Sequence, residues 1–146
     1  MADFESIMRP HLEEALDRGE SLEGICAGAQ QSTFKGRSIA LGITDRRLLL
    51  APLNRRGRPK GELISIRPEE IESAKAGGAG GGWVDVAPAI LDSAAVTLQL
   101  KTSSGEKYKL SMMRGTGVFG KLGGGETQRE GLEALARWFA RFAANR

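Results

Sequence analysis

Residues 36–53, GRSIALGITDRRLLLAPL, constrain this chain more than any other stretch. Ile39, Leu41 and Ile43 alternate with Ser38, Ala40, Gly42 and Thr44, the period of a strand with one buried face. Thr44-Asp45-Arg46-Arg47 then supplies short polar side chains that can bond their own backbone, which marks a turn. Residues 48–53 resume as a nearly continuous apolar run, as expected of a strand packed on both faces or rolled into a barrel wall. The stretch therefore predicts a β-hairpin at the centre of the fold.

The flanking segments fit a small antiparallel barrel. A first helix is expected within 4–18, its regular part beginning at Pro10, in the first-turn position where the missing N–H costs nothing, and ending near Asp17, with a further turn over 3–9 left open. Residues 22–29 read as a first strand and 62–67 as another, with Ile64 and Ile66 on one face. Pro68-Glu69-Glu70-Ile71 turns the chain into a short segment ending at Ala76. Residues 83–92 read as an edge strand interrupted by Pro88. A second hairpin follows: Val96, Leu98 and Leu100, then a Ser103-Ser104-Gly105 turn, then Tyr108, Leu110 and Met112. Two glycine-rich stretches, 77–82 and 115–125, read as connectors. In the final helix, 127–143, Leu132, Leu135, Ala136, Phe139, Phe142 and Ala143 form one apolar stripe, and Thr127 with Glu130 fits a capping box. The expected class is mainly β with α: a partly open antiparallel barrel of about seven strands (20–114) closed by a C-terminal helix, in one domain over 1–146.

Several features in this order resemble the bacterial pleckstrin-homology-like (PH-like) domain family. They are the Arg18-Gly19-Glu20 lead-in, the Thr44-Asp45-Arg46-Arg47 turn, the strand and acidic turn Ser65-Ile66-Arg67-Pro68-Glu69-Glu70-Ile71, the Ser104-Gly105 hairpin and the last helix. The resemblance spans roughly residues 12 to 142. It implies a bent seven-stranded barrel acting as a binding or assembly module rather than an enzyme.

Charge sharpens the functional reading. Residues 1–34 carry two basic and seven acidic side chains, net −5, whereas 35–67 carry nine and two, net +7. The positive field centres on the middle hairpins, where Lys35, Arg37, Arg55, Arg56, Arg58 and Lys60 form a candidate anion- or partner-binding set. Arg56-Gly57-Arg58-Pro59 resembles an AT-hook core, which lies extended in a narrow minor groove. The same loop could meet phospholipid head groups, or be a solvated turn set by its glycine and proline.

Other motifs reduce to packing. Gly115-Thr116-Gly117-Val118-Phe119-Gly120 fits G-x-G-x-x-G, but glycines 123–125 break the helix a dinucleotide site requires. His11 reads as packed or half-buried and Cys26 as a buried filler, and one of each cannot build a zinc site. Trp83 and Trp138 read as core or rim by default. No catalytic set, metal, cofactor or small-molecule substrate is expected. The expected partner is a protein, itself in a homo-oligomer or another, with anionic lipid or DNA as the alternative. A lone cysteine and the absence of an apolar run near 20 residues place the chain in the cytoplasm.

Overall fold

The computed structural model describes residues 4–31, 36–77, 82–92, 95–113 and 125–143. In chain order the elements are α1 (Phe4–Glu13), β1 (Leu22–Gln31), β2 (Gly36–Thr44), β3 (Leu48–Pro52), β4 (Ile64–Ile66), β5 (Ile71–Ala76), α2 (Trp83–Asp92), β6 (Ala95–Thr102), β7 (Lys107–Met113) and α3 (Gly125–Ala143). The strands form one antiparallel sheet in the order β4-β3-β2-β1-β7-β6-β5. It curls into a half-barrel, so that Ile66 near one edge and Ile71 near the other share a core with Leu135 and Phe139 of α3.

The central hairpin forms where the sequence predicts it, turning at Thr44–Arg47. Ile43 faces Leu48, Leu41 faces Leu50 and Ile39 faces Pro52. Every residue of β3 is buried, because the hairpin separates two cores. Ile39, Leu41, Ile43, Leu48 and Leu50 point into the concave core with α3, while Ala40, Leu49 and Ala51 point outward beneath α1.

The first helix lies within the expected 4–18: it runs from Phe4 to Glu13, with Pro10 inside it rather than at its first turn. Proline costs a helix interior about 3 kcal/mol. Met8 and Leu12, both fully buried one turn apart, hold the two sides of the break against Ile25, Ala27 and Leu49, and this packing outweighs the cost. His11 is half-buried, as its position on the helix suggests.

The second correction is larger: residues 83–92 are α2, not an edge strand. Trp83, Val86 and Ile90 bury one face at helical spacing, and Pro88 lies on the exposed side. Trp83 packs on α3, its ring 6.0 Å from that of Trp138 and 5.0 Å from that of Phe139. Both tryptophans are core residues. The glycine-rich stretches fall mostly outside the described residues. Because α3 begins at Gly125, Thr127 is its third residue rather than its cap.

The helix is joined to the sheet by hydrogen bonds as well as by packing. β1 pairs with β7 only over Ala29–Ser111, Gln30–Leu110 and Gln31–Lys109, leaving its first half without that neighbour. Gln128 fills the split. Its Oε1 accepts from Ala27 N at 2.7 Å, and its Nε2 donates to the carbonyls of Ala27 and Met113, each at 2.9 Å. Gln128→Leu keeps the volume but strands three backbone groups, so a loss of about 2 kcal/mol in urea denaturation is expected. An unchanged midpoint would show that the split closes without it.

Candidate anion-binding loop

The segment between β3 and β4 is a closed loop rather than an extended arm. Leu53 N donates to Ser38 O at 3.0 Å and Lys60 N to Pro52 O at 2.8 Å, while Leu53 and Pro59 form an isolated antiparallel bridge. Asn54 closes the interior: its Oδ1 accepts from Arg56 N at 2.9 Å and Arg58 N at 3.1 Å, and its own N donates to Arg58 O at 2.9 Å. Gly57, at φ +77°, takes the left-handed conformation the reversal requires. The composition of the loop was legible in the sequence. The organising role of Asn54 was missed, although an Asn followed by basic residues and Gly carries an Asx-turn signal.

Backbone closure turns the cations outward. Arg55, Arg56, Arg58 and Lys60 are all exposed, and none has an acidic partner among the described residues. Arg37, at the start of β2, is beside the base of the loop. Its Nε and Nη2 donate to Gln30 Oε1 at 3.1 and 3.0 Å, spreading the guanidinium across β1. Of the six predicted residues, four stand on this loop, Arg37 lies at the start of β2, and Lys35 lies outside those described. Because Arg56-Gly57-Arg58-Pro59 is folded back on Asn54, insertion along a minor groove would require breaking these bonds.

The groups with shifted ionisation lie elsewhere and are structural. Glu20 has a fully buried side chain. Burial alone would raise its pKa, but hydrogen bonds from Arg47, Thr44 and the Asp17 amide outweigh this and hold it at about 2. Arg47 Nε and Nη2 each donate to Glu20 at 3.0 Å, and Nη2 also reaches Ala15 O at 2.7 Å. Thr44 Oγ1 donates to Glu20 at 2.6 Å while accepting from the amides of Arg46 and Arg47. This network explains why the Arg18-Gly19-Glu20 lead-in and the Thr44–Arg47 turn occur together: one carboxylate fastens the tail of α1 to the hairpin tip. Burial pushes the Cys26 thiol to about 12, far from thiolate formation. Burial and the neighbouring Glu106 carboxylate, to which its hydroxyl donates, raise Tyr108 to about 12. Among the described residues no three metal-ligating side chains gather, and no helix is long and apolar enough to cross a membrane.

No family model matches the sequence, and no curated protein matches it. Solved structures do. The C-terminal domain of an unknown protein from Leishmania infantum aligns with a TM-score of 0.56 at 14% identity, covering 94% of this chain and 99% of that one. The hSac2 domain of the human phosphoinositide phosphatase Sac2 aligns with a TM-score of 0.53 at 10% identity, covering 94% and 79%. The DH/PH domains of p115-RhoGEF align with a TM-score of 0.46 at 15% identity, covering 98% and 37%. At such identities the likeness is one of fold. The shared architecture is a curled antiparallel sheet of seven strands, closed by a C-terminal helix.

Proposed function

We propose that this chain is a single, non-enzymatic PH-like module of the bacterial type, cytoplasmic, which engages partners through surfaces displayed by the half-barrel. The observation that carries the reading is the 54–60 loop, whose backbone is locked by Asn54 while four cations stand exposed without acidic partners among the described residues. A preorganised loop loses little conformational entropy on binding, and its charges suit a partner bearing anionic groups. The shifted groups support a non-enzymatic role, since Glu20 is enclosed by its donors and Cys26 is buried.

The test is retention on vesicles containing phosphatidylserine and on an AT-rich duplex, each at two salt concentrations. At roughly 1 kcal/mol per cation near an anionic surface, Arg55→Ala/Arg56→Ala/Arg58→Ala should weaken binding about 100-fold. Retention of that variant equal to the parent on both ligands would remove the loop from the reading. A protein partner is the second reading. It is favoured by α2, which leaves Val84 72% and Leu91 51% exposed on one side with Pro88 between them. Light scattering at high concentration tests the case in which the partner is another copy, and a strict monomer would exclude it.

A further inference from the structure

The convex side of the sheet has two unlike halves. Over β1–β3 it is apolar and covered by α1. Over β5–β7 it is polar, and α1 does not reach it. Val96, Leu98, Leu100, Tyr108, Leu110 and Met112 turn into the concave core, so the alternate residues face outward. The register sorts these into rows. Lys75, Gln99 and Lys109 lie side by side across β5, β6 and β7, and Ser73, Lys101 and Lys107 form the next row.

Lys101 and Lys107 stand directly opposite each other, a like-charge pair that costs sheet stability. Among the described residues, only Lys101 of the two has an acidic partner, Glu72 at 3.9 Å. Lys75, Lys107 and Lys109 are exposed and make no ion pair among the described residues. Lys107 and Lys109 stand about 6.8 Å apart along β7, with neighbouring strands about 4.8 Å away. Four ammonium groups therefore occupy a patch roughly two strand repeats on a side.

Glu106, next to Lys107, is engaged by the Tyr108 hydroxyl. From the juxtaposition of the four lysines we infer that the convex β5–β7 face docks on the phosphate backbone of a nucleic-acid duplex, without reading its sequence. A duplex carries one negative charge per ~1.7 Å of axis, dense enough to engage four closely set lysines together. A bilayer of mixed composition spreads its anionic groups more thinly. Gln99 and Ser73, set among the lysines, are side chains that hydrogen-bond phosphate oxygens. The rows hold no aromatic ring on which unpaired bases could stack, and no aliphatic residue to enter a membrane. All four cations are lysines, point charges suited to a backbone rather than the forked groups that recognise guanine edges.

This surface is separate from the 54–60 loop, and its test keeps the two apart. Fluorescence anisotropy with a 24-base-pair duplex, across a salt series, gives the slope of log affinity against log salt. Each lost phosphate contact lowers that slope by about 0.9, so Lys75→Gln/Lys107→Gln/Lys109→Gln should lower it by between 2 and 3 and weaken binding at least tenfold at low salt. The same three positions changed to Arg should retain both slope and affinity, and both variants should melt no lower than the parent. The loop variant Arg55→Ala/Arg56→Ala/Arg58→Ala should leave the contribution of the lysine face intact. An unchanged slope in the glutamine variant overturns the inference, as does a loop variant, Arg55→Ala/Arg56→Ala/Arg58→Ala, that prefers phosphatidylserine vesicles over the duplex at matched charge.

Discussion

Arg47→Met is expected to destabilise the fold by about 3–5 kcal/mol, among the largest single effects available in this chain. The substitution keeps much of the side-chain volume but leaves the Glu20 carboxylate, whose side chain has no exposure, without its main donor. It also frees Ala15 O and unties the tail of α1 from the hairpin tip. The effect should depend on pH. In the parent, Glu20 is held at about 2 against an ordinary value of 4.5. That contribution, on the order of 3 kcal/mol, is fully present above about pH 4.5 and disappears as pH falls toward 2. In the variant, burial without the guanidinium pushes the carboxyl upward, so acid neutralises it and relieves the strain. Urea denaturation at pH 7, 4.5 and 3 should therefore show the gap between the two proteins narrowing with acid. A gap that is constant with pH would mean that Arg47 acts through its aliphatic stem alone.

Gly131→Ala should destabilise by at least about 3 kcal/mol, although alanine is the better helix former by ~1 kcal/mol. A Cβ at position 131 would sit 2.1 Å from Ile25 O and 2.6 Å from Ile25 C, which are backbone atoms that cannot step aside. At this crossing the other side is also glycine: a Cβ on Gly24 would meet Ala134 Cβ at 2.7 Å and Gly131 Cα at 3.1 Å. α3 would have to lift from β1, stretching the bonds of Gln128 one turn earlier. Arg137→Ala, at an exposed position on the same helix, should be near neutral and serves as the control. A variant at 131 as stable as the parent would show that the helix can shift without cost.

How far the sequence could be read follows from the range of the interactions. The hairpin of β2 and β3 was legible because its alternation and turn are local. So was the apolar stripe of α3, including Leu132, Leu135 and Phe139. The pairing of Glu20 with Arg47 joins positions 27 apart through a contact that exists only once the hairpin folds, so the sequence showed the two motifs and not their bond. α2 is hidden in the sequence because Pro88 argues against a helix interior, while the helical spacing rests on Trp83, Val86 and Ile90 alone. Tertiary packing tolerates such a proline where propensity alone would not. At the candidate site, charge and glycine content marked the loop. The rows of lysines on β5–β7 were invisible because they depend on a register that no local pattern specifies.

The amide of Gln128 has a bearing on biosynthesis. A ribosome delivers β1 early and α3 after every strand, so Ala27 waits through most of translation with its N–H and C=O unclaimed. During that interval the small-residue run Gly24, Ala27 and Gly28 presents an open strand margin to any passing extended peptide. The residue that retires this hazard arrives within the final helix, which makes α3 the guardian of the nascent chain as well as the stopper of the finished barrel.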